Sequence, residues 1–534
     1  MKSSSGNPSA TPGSGSPAIP LWYLAVTAAI CGALVMVIEV LGSRVIGPFF
    51  GVSLFVWTSL ITVTMVALAC GYWAGGVLSG SERRTDILFA AIAAAGAGCL
   101  LVPLLKKAVL VAALGLGLRA GALASSLALF GPALFLLGCV SPLLVKIAAR
   151  ELNSIGRTVG LLYALSTLGS VVGTVATGFV LIAWVGVDRI FLLTGAALIL
   201  LGCSWFVVLR RVWPAALLLV LVPAAWWAAG LLSAPRAAAS GAVSIHREDT
   251  AYGTLRVIDR VSGAAHAREL RIEGQVQGAV DMRNGLPLSL IMYFLEFLPW
   301  GVNPGGRDCL VIGLGAGVVP RWYEARGART DVVEINPAVV RVARDMFGYP
   351  ADAPVTIADA REFLARPGKI YDYLILDVFN GDTTPDHVLS VEAFRLARAR
   401  LSPRGVLALN VAGTLRHETL MTASLLRTLQ AVFAKVECFP LFEPGEEPGW
   451  GNMVVLAYDF VPPSTRAYPV VSLSVHPEVY PYVTRFLRAP HALPEISSAL
   501  VLTDDHNPFD VRDLWLKEQA RREVLRSTEP EFLL

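Results

Sequence analysis

The chain has 534 residues, 54% of them hydrophobic, with 44 basic and 41 acidic side chains and a net charge of +3. That apolar fraction exceeds what a soluble protein needs, so part of the chain belongs in lipid. The near-balanced charge excludes a global basic field able to hold a nucleic-acid backbone, and nucleic acid is not an expected partner.

Residues 1–18, rich in Ser, Gly and Pro, cannot bury a core and read as a disordered tail. Residues 19–233 carry few charges and read as a multi-spanning α-helical membrane domain of about seven helices. Apolar runs long enough to cross a bilayer lie at 20–42, 53–79, 86–105, 120–148, 158–184, 188–209 and 212–232. The piece from Lys106 to Arg119 fits either an interfacial helix or part of an eighth crossing. Glu39, near the end of the first run, is costly in lipid; it is functional, paired with Arg44, or reaches toward the headgroups. Small residues in GYWAGG at 71–76 and GSVVGTVATG at 169–178 suit close helix packing.

From Val243 the pattern changes to short alternating segments, which predict a small antiparallel β subdomain over 243–285. Over 286–460, apolar strands alternate with amphipathic helices, the signature of βαβ units and a Rossmann-like, class I methyltransferase-type α/β domain. A hairpin near 435–441 and 452–458 completes that domain, and 461–534 is a C-terminal extension. Seven cysteines show neither Cys-x-x-Cys nor Cys/His spacing, so neither a disulfide framework nor a metal site is expected.

The first strand of the α/β region runs into Gly313-Leu314-Gly315-Ala316-Gly317, a turn that lets backbone amides approach a ligand closely. The next strand ends at Glu334, 17 residues beyond Gly317, where a carboxylate can accept from both hydroxyls of a ribose. The third ends in Ala358-Asp359-Ala360, suited to an adenine edge. Helix capping explains each carboxylate singly but not three consecutive strand ends together. A nucleoside site is therefore expected.

The stretch 252–411 resembles spermidine synthase and the wider polyamine aminopropyltransferase family. The motifs are LRIEGQVQG at 270–278, MYF at 292–294, VIGLGAGVV at 311–319, VVEINPAVV at 332–340, IADAREFL at 357–364 and YDYLILDVFNGDTTPDHVLSVEAF at 371–394. The apolar N-terminal half is similar to the membrane-fused bacterial branch, which implies a multi-pass protein of the bacterial inner membrane. The resemblance implies transfer of an aminopropyl group from decarboxylated S-adenosylmethionine to a polyamine or other small amine, with no metal. It implies that Gln277 touches the sugar or the methionine-derived part of the donor, that Tyr293 lines the amine pocket, and that Asp377 is the base. A carboxylate at a strand end can indeed take a proton from an amine, and a helix-capping role for Asp377 stands beside that reading.

Three departures bear on the substrates. Ala316 stands where the family usually carries an Asp that meets the aminopropyl end, Asn380 replaces a second Asp after Asp377, and Gly253 follows Tyr252 where a Gln is usual. Each removes an anchor for a cationic amine. Asp382 could substitute in part, and Asp504 with Asp505, in the late run Thr503-Asp504-Asp505-His506-Asn507-Pro508, could bind a cation or close over the site. His387 and His506 are isolated and read as structural. The loss at Ala316 also keeps open transfer of a methyl or aminocarboxypropyl group from intact S-adenosylmethionine. A transporter or sensor with a non-turning-over nucleoside or polyamine domain is a third reading, and a homo-oligomer is left open. The loops with Arg83 and Arg84, with Lys146, Arg150 and Arg157, and with Arg210 and Arg211 are alternate ones, which the positive-inside rule puts in the cytoplasm. Seven crossings would then export the C-terminal domain; a cytosol-made donor argues for the cytoplasm, and that placement is preferred.

Overall fold

The computed structural model describes residues 19–51, 54–149, 155–232, 241–262, 265–379, 381–382, 384–463, 474–494 and 497–533. The expected tail 1–18, Asn380 and parts of the C-terminal extension lie outside the described residues.

Among the described residues, seven helices are long and apolar enough to cross a membrane: α1 Leu21–Phe50, α2 Leu54–Leu78, α3 Arg84–Leu114, α4 Leu118–Ala148, α5 Ile155–Leu181, α6 Val187–Leu209 and α7 Trp213–Leu231. With no hydrophobic drive between helices in lipid, small residues decide which pairs meet. A Cβ added at Gly71 of α2 would lie 2.3 Å from the Phe135 carbonyl of α4, and one at Gly169 of α5 would lie 2.0 Å from the Ala29 carbonyl of α1. Both small-residue patterns thus sit at backbone contacts. The piece between Lys106 and Arg119 is neither an interfacial helix nor part of an eighth crossing. Instead α3 runs unbroken through it to Leu114, because buried Lys106 is neutralised by Asp188 of α6 at 2.5 Å. Arg44 donates to the Ala251 carbonyl and forms no ion pair with Glu39.

The two ends of the bundle differ in their partners. At one end Lys107 pairs with Glu531 at 2.6 Å, Arg119 with Glu518 at 2.7 Å, and the Val187 amide donates to Asp249 at 3.1 Å. These contacts seat the C-terminal half. At the other end Arg210 pairs with Asp86 at 2.8 Å, so the loops that carry Arg83 and Arg84 and Arg210 and Arg211 are remote from those contacts, while much of the loop with Arg150 lies outside the described residues.

That half begins with four antiparallel strands in the order β1-β2-β3-β4: β1 Val243–Thr250, β2 Gly253–Ser262, β3 Ala265–Ile272 and β4 Gln275–Asp281. Helix α8 Leu290–Val302 leads into β5 Asp308–Ile312, α9 Val318–Glu324, β6 Arg329–Glu334, α10 Pro337–Phe347, β7 Val355–Ile357, α11 Ala360–Ala365 and β8 Tyr371–Leu376. After α12 Val391–Ala399 come β9 Leu401–Thr414, α13 Leu420–Gln430 and the antiparallel hairpin β10 Lys435–Pro440 with β11 Trp450–Tyr458. The seven-stranded sheet has the order β10-β11-β9-β8-β5-β6-β7, with β5 to β9 parallel. Both faces are buried, so β5 is apolar from Cys309 on: Cys309 and Val311 face the core under α8 to α10, and Leu310 and Ile312 face that under α11 to α13. The strand order reverses between β5 and β8, where α/β sheets open a crevice for ligands. The last long helix, α14 Leu514–Ser527, buries Val524 in the core of the membrane helices.

Candidate active site at the carboxyl ends of the parallel strands

A cavity of about 320 Å³ opens at that reversal. Gly313 and Gly315 after β5, Glu334 at the end of β6, Asp359 and Ala360 after β7 and Asp377 after β8 all line it, with Gln277 of β4 on the opposing wall. Residues from four parallel strand ends and from β4 therefore converge on one space.

The glycine bend has a steric cause. Gly313 has φ +96°, and a Cβ there would lie 2.0 Å from the Asp377 carbonyl, so only glycine lets the two strand ends touch. Gly317 is in the left-handed region, φ +71°, where it starts α9. Its missing side chain leaves room for Tyr349, not for the cavity, which corrects the expectation that it contacts the ligand.

Each carboxylate is held differently. Glu334 is 8% exposed and accepts from the Leu314 amide at 3.0 Å and the Asn336 amide at 2.8 Å; burial pushes its pKa up. Each oxygen keeps a lone pair, so the carboxylate can accept from a ligand while bracing the glycine bend. Asp359 caps α11, accepting from the Arg361 and Glu362 amides at 2.9 and 3.1 Å, and its other oxygen is 3.1 Å from His387 Nε2. Burial acts upward on its pKa, but the Glu362 amide and His387 outweigh it and hold the group below its ordinary value. Among the described residues the Asp377 carboxylate has a single polar partner, Asn410 Nδ2 at 2.8 Å, and burial pushes it up to about 6. Asn452 Nδ2 in turn donates to Asn410 Oδ1 at 3.1 Å. The result is one carboxylate kept anionic beside another poised to exchange a proton near neutral pH.

Several expected substrate contacts lie elsewhere. Tyr293 is 1% exposed; its hydroxyl donates to the Pro287 carbonyl at 2.8 Å and accepts from the His476 amide at 2.9 Å, so it is core and not pocket. Its neighbours Ile291 and Met292 line the cavity instead. Asp382 is buried against Arg521 at 2.7 Å and accepts from Gln275 Nε2 at 2.9 Å, which leaves it no free face for an amine. Asp504 pairs with both terminal nitrogens of Arg361 and accepts from Ser390 Oγ at 2.6 Å; Asp505 is exposed, and neither lines the cavity. Asn380 lies outside the described residues. Ala316 is 1% exposed, and a Cβ on Gly278 would lie 3.0 Å from its methyl.

Other residues join the site without having been anticipated. His387, read as structural, lines the cavity beside Asp359, and Asn410, Asn452 and Gln275 also face it. Asn410 carried a legible signal: an amide inside the apolar run Leu407-Ala408-Leu409-Asn410-Val411 must find a partner.

No family model matches the chain. Curated relatives do. A region of 156 residues, 28% of this chain and 28% of the relative, is 35% identical to the N-terminal histidine N-methyltransferase of Emericella nidulans. The polyamine aminopropyltransferase of Vibrio vulnificus is 28% identical over 223 residues, 39% of this chain and 71% of that protein. The polyamine aminopropyltransferase of Mycobacterium tuberculosis is 29% identical over 393 residues, 65% of this chain and 73% of that one. The last alignment covers more of the chain than all that follows Val243, so it reaches into the apolar helices. Among solved structures, the spermidine synthase of Thermotoga maritima matches 47% of this chain and 80% of its own at 15% identity and a TM-score of 0.32. The chain spans 28% of the first relative's length and just over seven-tenths of the other two.

Proposed function

We propose that this chain, similar to the polyamine aminopropyltransferases, is a membrane-tethered enzyme that passes an aminopropyl group from decarboxylated S-adenosylmethionine to an amine. The observation that carries the reading is the convergence of the glycine bend, Glu334, Asp359 and Asp377 on one cavity. Glu334 accepts from the ribose hydroxyls, and the Asp359–Ala360 corner faces the adenine edge. Gln277, on the opposing wall, meets the sulfonium side of the donor.

An amine nucleophile is inert as an ammonium ion. Asp377, with its pKa near 6, is ionised at neutral pH and accepts the proton as the nitrogen lone pair attacks the carbon beside sulfur. The C–N bond forms, the C–S bond breaks with its electrons going to sulfur, and methylthioadenosine leaves. In-line placement of the two partners supplies most of the acceleration. The Asn452–Asn410–Asp377 chain of hydrogen bonds fixes the base in orientation. Incubating the purified full-length protein with decarboxylated S-adenosylmethionine and a panel of amines tests the reading; release of methylthioadenosine supports it, and none with any amine ends it.

A second reading is favoured by Ala316, which presents no carboxylate to hold a donor's terminal amine or to repel a donor's own carboxylate. Transfer of a methyl or aminocarboxypropyl group from intact S-adenosylmethionine fits that substitution, and one relative is named as a methyltransferase. With intact donor, S-adenosylhomocysteine as product identifies methyl transfer and methylthioadenosine the aminocarboxypropyl route. We place the cavity on the cytoplasmic face of a bacterial inner membrane, where sulfonium nucleosides are made. The arginine-rich loops at the far end of the bundle argue the other way. Reporter fusions active only in the cytoplasm or only outside it, joined at the C terminus, decide between them.

A further inference from the structure

The loop that follows β8 carries Asp377 at its start and continues through Val378, Phe379 and Gly381 along the cavity wall. The next residue, Asp382, turns away and is drawn into a buried cluster with Arg521 of α14, which is 1% exposed. The guanidinium serves three separate elements. Its Nη2 lies 2.7 Å from Asp382 Oδ1, and its Nη1 donates to the Pro48 carbonyl of membrane helix α1 at 3.0 Å and to the Glu273 carbonyl at 2.9 Å. Glu273 belongs to the turn between β3 and β4, two residues before Gln275, which lines the cavity and donates to Asp382. Gly51, at the C-terminal end of α1, closes the cluster: a Cβ there would lie 2.8 Å from Asp382 Oδ2.

A fully buried ion pair is a costly way to gain stability alone, because desolvation cancels most of its Coulomb attraction. What this one does is hold geometry: a planar fork with fixed donor directions locks one carboxylate and two carbonyls from three elements in a single arrangement. We propose that Arg521 and Asp382 are positioning residues through which the end of membrane helix α1 holds the Asp377 loop in its working geometry. The membrane half is then a structural part of the site and more than an anchor. The catalytic arm of this inference rests on the proposed transferase reading; its structural arm does not.

The test uses the full-length protein in lipid nanodiscs, with Arg521→Lys, Asp382→Asn and Gly51→Ala. Arg521→Lys keeps the charge but loses the fork, so it avoids leaving a buried carboxylate without a counter-charge. Gly51→Ala perturbs the cluster from the membrane side, at a residue that touches no cavity wall. Three quantities are measured: affinity for methylthioadenosine by calorimetry, kcat and KM for donor and amine, and hydrogen exchange of the amides of the loop after β8. Because Glu334 and Asp359 hold the nucleoside from other strands, affinity should stay within about threefold. A misplaced base costs about tenfold to a hundredfold in kcat, and the loop amides should exchange faster in all three variants. Unchanged kcat with unchanged exchange overturns the proposal, as does a loss of nucleoside affinity that merely tracks a fall in Tm. If the wild type turns over no donor, the transferase reading falls, and exchange in the loop still decides the coupling: acceleration in the variants supports it and its absence refutes it.

Discussion

Asp377→Asn separates a catalytic carboxylate from a helix-capping one, because the two roles predict opposite signs for stability. Burial lifts this carboxyl from the ordinary 3.8 to about 6, which corresponds to about 3 kcal/mol of penalty on the ionised form. Water in the open cavity screens part of that, leaving about 1–2 kcal/mol. Between about pH 4 and pH 6 the folded protein holds a proton that the unfolded chain has already released, so stability falls as pH rises through that window. Above it the full cost of the buried anion is present. Asparagine carries no charge and can still accept from Asn410 Nδ2 through its carbonyl oxygen. At about pH 8 the variant should therefore melt about 2–8 °C higher than wild type, and near pH 4.5 the difference should shrink toward zero. Turnover should fall by about a hundredfold or more. Thermal unfolding followed by tryptophan fluorescence at both pH values, beside methylthioadenosine release, gives the comparison. A variant that is less stable at pH 8, or equally shifted at both pH values, or still active, would refute the assignment.

Three other outcomes follow from the geometry. Glu334→Gln should weaken methylthioadenosine binding by at least about tenfold in calorimetry, since a charge-assisted bond to a ligand hydroxyl is worth about 1.5–3 kcal/mol. Tyr293→Phe should leave KM for the amine unchanged while lowering stability by about 1–3 kcal/mol, because the Pro287 carbonyl and the His476 amide lose a buried partner; a raised KM would return Tyr293 to the pocket. Asp504→Asn should cost less than about 1 kcal/mol in a denaturant melt, its pair with Arg361 being partly exposed, and should not alter the cation dependence of activity.

What the sequence made legible is what local pattern controls. Strand ends can be read from apolar runs that stop at polar residues, so Glu334, Asp359 and Asp377 could be placed at neighbouring strand termini, and a parallel sheet brings such termini together. The same logic found the seven apolar runs. Partners remote in the chain were not legible. Asp382 looks like a spare anion until Arg521, 139 residues away, is brought against it, and Asp504 looks like a cation ligand until Arg361 claims it. The direction of Tyr293 failed for a related reason. On an amphipathic helix with both of its neighbours apolar, a one-residue change in which side faces the cavity is invisible to periodicity, and here Ile291 and Met292 took the wall. His387 was passed over because a lone histidine carries no spacing signal; it became part of the site only through the fold's juxtaposition of its turn with the end of β7.

The close approach of the Gly313 backbone to the carbonyl of Asp377 makes the glycine bend and the strand end that carries the proposed base a single mechanical unit. Any attempt to retune ligand preference by substitution at that bend will also displace the proposed base, and its kinetic effects cannot be read as changes in recognition alone. Substitution of the Gln277 side chain alone, on the opposing wall, leaves the Gly313–Asp377 approach untouched and is the cleaner route to altered selectivity.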